Sequence, residues 1–159
     1  MNDMEKICSL LDEIKNCLLD FEKETMDIIS CNIEDIEEHT RKRVDITQKL
    51  DEIFKEIDLI CENMENGEKI KKMIRNVSLY TNVNKDEEPV FLKAQEIFSV
   101  FTRIKDSDVQ AVDRINIEKE MLIKKIKDTN NGQQAKAAKF SVGVDDGMKK
   151  HFEEEKKLI

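Results

Sequence analysis

FEKETMDIISCNIEDIEEHTRKRVDITQKLDEIFKEI, residues 21–57, is the stretch in which one apolar helix stripe ends and a second begins. The first stripe advances in alternating steps of four and three: Ile7, Leu11, Ile14, Leu18, Phe21, Thr25 and Ile28. This spacing holds one face of an α-helix and matches the 3.5-residue repeat of a coiled-coil seam. The second stripe consists of Ile36, Thr40, Thr47, Leu50, Phe54, Ile57, Cys61 and Met64. Its first half is weak, because Arg43 stands where an apolar residue would fit.

A polar step, Ser30 to Asn32, separates the two stripes. Asn32 is a favourable N-cap, and the carboxylates of Glu34 and Asp35 suit the first turn of a helix. The pattern therefore predicts two long helices with a joint between them. They either fold back on each other as a hairpin or continue with a kink.

The composition favours long exposed helices over a compact globule with a thick core. Of 159 residues, 39% are charged and 39% apolar, with four Gly, one Pro and no Trp. We predict an all-α protein in which long antiparallel helices form a coiled-coil-like hairpin or a three- to four-helix bundle, followed by a flexible C-terminal tail. The bundle is expected over residues 1–129 and the tail over 130–159. The predicted helices are 3–29, 33–65, 68–79 and 89–129.

Three helix boundaries carry their own signals. Asn66-Gly67 is typical of a left-handed C-cap and predicts the end of the second helix. The segment TNVNKDEEP, residues 81–89, has no periodicity and is predicted to be a loop, with Pro89 in the first turn of the next helix. Ser107 to Gln110 fits a capping box, so the last helix is either broken near 106–108 or runs unbroken.

The helix after Pro89 is the most aromatic part of the chain. Its stripe is Val90, Ala94, Ile97, Phe101 and Ile104, with Phe91 and Phe98 beside it. We expect these phenylalanines to be core residues, because large apolar side chains at helical spacing usually face the interior.

Charge and targeting signals limit the classes of partner. The net charge is −8, with −11 in residues 1–65 and +3 in the remainder. An acidic N-terminal half repels phosphate, which disfavours nucleic-acid binding. No apolar run is long enough to span a membrane, and the N-terminus has no basic segment followed by an apolar one, so no membrane insertion and a cytoplasmic location are expected.

No motif for catalysis, cofactor binding or metal binding is found. Gly-rich phosphate loops, H-E-x-x-H and G-x-S-x-G are missing, so no enzyme and no cofactor are predicted. The four cysteines contain no C-x-x-C pair, and His39 and His151 lie far apart in sequence. The cysteines are therefore expected to be buried or half-buried free thiols, and no metal site is predicted.

The last helix is apolar on more than one side. Val109, Val112 and Ile115 follow one face, whereas Ile117 and Met121 fall on another. A second apolar face needs a second surface to cover it, which indicates a binding face. The tail after residue 130 is too short and polar to build a core, so it either becomes ordered on a partner or has no specific role.

Part of the chain resembles the FlgN-type flagellar export chaperones and, less closely, the related FliT-type chaperones. The resemblance is clearest over residues 7–57 and weaker over 116–126. It is carried by Glu24, Ile28, the Ser30–Asn32 step, Ile33-Glu34-Asp35-Ile36, Thr40, Lys42-Arg43 and Leu50. The Gly-Asp step usual in the family is Cys31-Asn32 here.

The resemblance implies a cytosolic type III secretion chaperone. Such a protein binds C-terminal helical segments of hook-filament junction proteins, prevents their premature assembly and delivers them to the flagellar export apparatus. The implied client-binding residues are Ile117, Met121, Leu122 and Ile126 in the last helix, with Phe140 and Val142 in the tail. The alternative is a structural coiled-coil protein that self-associates, as a homodimer for example, and has no client.

Overall fold

The computed structural model describes residues 1–77 and 80–130, and in these residues the chain is helical with no β-strand. Four α-helices are joined by loops and two short 3-10 turns, Ile33–Asp35 and Tyr80–Asn82. The helices are α1 (Asp3–Ser30), α2 (Ile36–Glu62), α3 (Gly67–Ile74) and α4 (Glu88–Asn130). The predicted all-α helical bundle is confirmed. Among the described helices, none is both long and apolar enough to cross a membrane.

Helix α1 follows its sequence signals closely. The Asn2 backbone N–H donates to Glu5 Oε2 (2.9 Å), and the Glu5 N–H donates to Asn2 Oδ1 (2.8 Å). This reciprocal capping box satisfies two backbone N–H groups at the helix start. All seven positions of the first stripe are buried, from Ile7 to Ile28.

The chain divides into two compact units. Unit 1 comprises Met1–Glu22 and Asp45–Ile104, and unit 2, among the described residues, comprises Lys23–Val44 and residues 105–130. Helices α1, α2 and α4 each contribute a segment to both units, whereas α3 belongs to unit 1 alone.

The interior of unit 1 is built from branched aliphatic, aromatic and small apolar side chains. Its buried residues come from all four helices: Ile7, Leu10, Leu11, Ile14, Cys17, Leu18, Phe21, Ile53, Ile57, Cys61, Ile70, Met73, Val90, Phe91, Ala94, Val100 and Ile104. On α2, Ile53, Ile57 and Cys61 are buried. Phe54, which the sequence placed on the stripe, is 39% exposed, and its neighbour Ile53 takes the interior position.

The segments of α1 and α4 in unit 1 run parallel. Three ion pairs join them, each between residues 81 positions apart: Asp12–Lys93 (2.6 Å), Lys15–Glu96 (3.0 Å) and Glu22–Arg103 (2.5 Å). A constant sequence offset is possible only when two helices advance in the same direction. Exposed pairs of this kind contribute little stability, because solvent screens them, but their constant offset defines the register of the two segments.

Gly67 begins α3 instead of ending α2 in a left-handed cap, so the predicted role of Asn66-Gly67 is wrong. No glycine of the described chain has a positive φ, and a Cβ at Gly67 would lie 1.9 Å from the carbonyl oxygen of Cys61. The residue is glycine because the backbone after α2 turns back so closely that no side chain fits.

The left-handed cap lies at Asn76, which ends α3 earlier than the predicted residue 79. Asn76 has φ 60°, the Val77 N–H donates to the Lys72 carbonyl (3.0 Å), and the Asn76 N–H donates to that of Met73 (3.0 Å). These two bonds form a Schellman motif. Val77, expected on the helix, lies beyond the cap and is 68% exposed.

Glu87 organises the turn before α4. Its Oε1 accepts hydrogen bonds from Lys69 Nζ (2.6 Å) and the Asn84 N–H (3.0 Å), and its Oε2 accepts one from Asn66 Nδ2 (3.0 Å). Burial alone would raise the pKa of Glu87, but these hydrogen bonds to the carboxylate outweigh it and lower the pKa below its ordinary value.

In unit 2, α1 and α2 form a hairpin, the first of the two alternatives left open by the sequence. His39 on α2 lies 2.5 Å from Glu24 on α1, and Ile36 packs against the cluster formed by Ile28, Ala111 and Ile115. The chain reverses through Cys31, Asn32 and the following 3-10 turn. The α4 segment completes a small three-helix core.

Arg43 of the second stripe and Asp108 of the predicted capping box are partners in this core. Arg43 is fully buried, and its Nη2 donates to Asp108 Oδ1 at 2.6 Å. Ser107 and Asp108 lie inside α4, which runs unbroken through the predicted capping box. Asp108 therefore pairs with Arg43 instead of beginning a new helix.

Candidate partner-binding surface

The hairpin of unit 2 ends beside Arg114 of α4. Arg114 Nη1 donates to the Ile28 carbonyl oxygen (3.0 Å) and lies 4.0 Å from the Cys31 sulfur, and Arg114 Nε lies 3.7 Å from Glu118 Oε1. The last turn of α1 contains no basic residue, so Arg114 supplies the positive charge that the C-terminus of a helix favours. Ile115 is the last fully buried residue of α4.

Helix α4 continues to Asn130, and we call residues 116–130 the distal α4 segment. At a rise of ~1.5 Å per residue it is about 22 Å long. Ile117 is 55% exposed and Met121 is 60% exposed. Because they are four residues apart, they share one face of the helix.

Leu122 and Ile126 form a second pair, four residues apart and half-buried. They continue the helical spacing of the buried residues Ala111 and Ile115. They therefore lie on the same side of α4 as the residues that form the core of unit 2. The distal α4 segment thus carries two adjacent apolar stripes. Phe140 and Val142, the other two residues implied in client binding, lie outside the described residues.

The aromatic residues of α4 divide between interior and surface, which corrects the prediction that all are core. Phe91 is buried and packs on Tyr80 with ring centroids 5.4 Å apart, whereas Phe98 is 48% and Phe101 36% exposed. The cause is the short length of α3. Its cap at Asn76 accepts a hydrogen bond from Gln95, so α3 covers only the first turns of α4.

The four cysteines are free, and Cys17 and Cys61 are buried while Cys8 and Cys31 are half-buried, which confirms the prediction of buried or half-buried thiols. Burial raises the pKa of all four, against a smaller lowering by nearby basic side chains. A raised pKa keeps the thiols protonated at neutral pH and disfavours nucleophilic chemistry.

One cluster of the described residues could hold a metal ion, and sequence spacing missed it. Glu24, Asp27 and His39 offer ligand atoms that all lie within 4.8 Å of one another. The sequence analysis predicted no metal site because His39 has no other metal-ligating residue at the close spacing of known motifs. The hairpin supplies the partners, since Glu24 and His39 are nearly equally far from the reversal at Cys31-Asn32.

Comparisons of the chain with models of protein families, with curated proteins and with solved structures find no match.

Proposed function

We propose that this protein is a cytoplasmic export chaperone of the FlgN type, which captures C-terminal helical segments of hook-filament junction proteins. In this role it prevents their premature assembly and delivers them to the flagellar type III export apparatus. The observation that carries the proposal is the distal α4 segment, which extends past the last fully buried residue and carries apolar side chains on two faces. The proposal assigns the protein no catalytic activity.

The distal α4 segment suits capture of an amphipathic helix. Covering the exposed part of Ile117 and Met121 would contribute roughly 1–2 kcal/mol each, given about 1.5–3 kcal/mol for full burial of such a side chain. Leu122 and Ile126, already half-buried, would form the second row of contacts beside them. Met121 adds an unbranched, polarizable side chain that adapts to irregular partner surfaces.

A client helix would therefore pack along α4 as an added helix of the bundle. Its apolar residues would meet the two stripes at i, i+3, i+4 and i+7 spacing, the mode of helix-in-groove recognition. Client release would expose the same stripes again, as a carrier requires.

The test mixes the full chain with C-terminal fragments of hook-filament junction proteins from the same genome and measures mass by size exclusion with light scattering. We expect a 1:1 complex. Met121→Asp with Leu122→Asp removes two anchors, and a loss of about 2 kcal/mol or more weakens binding at least ~30-fold. Leu59→Asp is the matched control, because Leu59 is 61% exposed on α2, outside the distal α4 segment.

Self-association as a structural coiled coil is the second candidate, favoured by the exposed Phe98 and Phe101 on α4. In that case the chain alone forms a homodimer at all accessible concentrations, and Phe98→Asp converts it to a monomer. That result, together with no complex with any fragment, contradicts the chaperone. A 1:1 complex that survives in Phe98→Asp contradicts the structural protein.

A further inference from the structure

Three metal-ligating side chains from both arms of the hairpin meet in unit 2. Glu24 and Asp27 lie one turn apart on α1, and His39 lies opposite them on α2. His39 Nδ1 is 2.5 Å from Glu24 Oε2 and 3.9 Å from Asp27 Oδ2. The side chains are 14% (Glu24), 40% (Asp27) and 19% (His39) exposed, so the cluster is partly shielded yet reachable from solvent.

The charge of this cluster favours a cation. Within residues 1–77 and 80–130, neither Glu24 nor Asp27 forms an ion pair with a Lys or Arg, and His39 is the one basic partner of both. With neutral imidazole the cluster carries two negative charges, and with protonated imidazole it still carries one. In contrast, the buried carboxylate of Asp108 has a guanidinium partner, Arg43.

We propose that Glu24, Asp27 and His39 bind one divalent first-row transition-metal ion, with Zn²⁺ as the best probe. Imidazole nitrogen selects for transition metals over Mg²⁺ and Ca²⁺, and two carboxylate oxygens complete a three-ligand set of the kind that Zn²⁺ accepts together with water. The inference does not depend on the proposed chaperone function.

The geometry needs only side-chain adjustment to accept the ion. Metal–ligand bonds of 2.0–2.2 Å in a tetrahedral site place donor atoms about 3.4 Å apart. The Asp27–His39 separation of 3.9 Å is near this value, and the Glu24–His39 separation of 2.5 Å must open by about 1 Å. Rotation of the Glu24 side chain provides that movement. The bound ion would cross-link α1 and α2 and stabilise the folded hairpin.

The experiment titrates ZnCl2 into the reduced 159-residue chain by calorimetry and follows thermal unfolding by circular dichroism. We expect 1:1 binding and a rise in Tm of about 5–10 °C at a Zn²⁺ concentration ~100 times Kd. Glu24→Gln and His39→Gln should each abolish the metal-induced rise. The metal-induced change is the readout, because either variant can lower the Tm of the metal-free protein by losing the Glu24–His39 hydrogen bond.

Three control variants locate the ion. Glu38→Gln alters an exposed carboxylate that pairs with Lys42 on the same helix, Cys31→Ser removes the thiol nearest the hairpin turn, and His151→Ala removes the other histidine. All three should retain the full rise in Tm. A rise that persists in His39→Gln, a rise lost in Cys31→Ser or His151→Ala, or no 1:1 binding in the unaltered chain would each overturn the site.

Discussion

Units 1 and 2 are built from segments of the same long helices but have different interiors. Unit 1 buries a continuous series of aliphatic and aromatic side chains, with Glu87 as its buried charged residue among those described. Among its described residues, unit 2 buries three apolar side chains, Ile28, Ala111 and Ile115, and beside them Thr25, Thr40, Arg43 and Asp108. One helix can therefore continue its periodic stripe while the chemistry of that stripe changes from apolar to polar along its length.

The two interiors contribute differently: apolar burial in unit 1 provides stability, whereas the buried ion pair in unit 2 selects how the helices align. Apolar burial stabilises unit 1 without strict geometry, because dispersion and water exclusion are not directional. A buried ion pair adds little net stability, since desolvation offsets the attraction, but it strongly penalises any register in which the two charges do not meet. We infer that Arg43 and Asp108 fix the register of α2 against α4 in unit 2, where the apolar core is too small to do so.

The largest expected effect comes from breaking the Arg43–Asp108 pair one side at a time. Arg43→Met leaves the Asp108 carboxylate buried without its partner and should lower the free energy of unfolding by about 3–5 kcal/mol. Arg43→Met with Asp108→Leu should recover most of that loss, because no charge is then buried. Urea denaturation of the two single variants and the double variant gives the coupling energy. Additive losses would mean that the pair does not organise unit 2.

The matched change in unit 1 is Leu11→Ala. It removes a fully buried side chain and leaves a cavity, so we expect a loss of about 2–5 kcal/mol in the free energy of unfolding, measured by the same denaturation. In contrast to the ion pair, the stability at this position should depend only on the volume of the apolar side chain. Leu11→Met should therefore cost less than ~1.5 kcal/mol. If Leu11→Met were as unstable as Leu11→Ala, the stability of unit 1 would depend on exact side-chain shape and not on apolar burial alone.

The smallest effect of the three concerns Glu87, the charged exception in unit 1. Glu87→Gln weakens hydrogen bonds to a buried carboxylate, and we expect a loss of about 1.5–3 kcal/mol near neutral pH. Because the pKa of Glu87 is lowered in the folded protein, its stabilising contribution is fully present above the pKa of an unfolded Glu, about 4.3. That contribution is lost as the pH falls through the lower folded pKa.

The check is a series of unfolding curves from pH 7 to pH 3 for the unaltered chain and Glu87→Gln. The stability difference between them should stay constant down to about pH 4.3 and shrink below it. A difference that is independent of pH would show that Glu87 acts by shape and not by charge.

The sequence predicted α1 well because its signals are local. The four-and-three spacing places Ile7 through Ile28 on one face, and all seven positions of that stripe are buried. The end of α3 near Asn76 was not predicted, because Asn is a less specific signal for a left-handed helix cap than Gly. The exposure of Phe98 could not be predicted, because it depends on where a neighbouring helix stops.

The polar partnerships were missed for a different reason. Arg43 looks like a defect in an apolar stripe and Asp108 like part of a capping box, and only their juxtaposition explains both. Glu24 and His39 are 15 positions apart and meet only because the chain reverses between them. Both pairs could have been proposed from the sequence by first assuming the hairpin and then matching the polar positions of facing stripes. The positions of Ile117 and Met121 on a second face of α4 follow from helical periodicity alone.

The most direct test of client capture is hydrogen–deuterium exchange of the full chain, alone and with a C-terminal fragment of a hook-filament junction protein. Local opening at the end of a helix with few buried contacts gives fast amide exchange. We predict that the fragment slows exchange in the distal α4 segment, residues 116–130, and leaves the unit 1 core unchanged. Unaltered exchange in residues 116–130 at saturating fragment would contradict the proposed function.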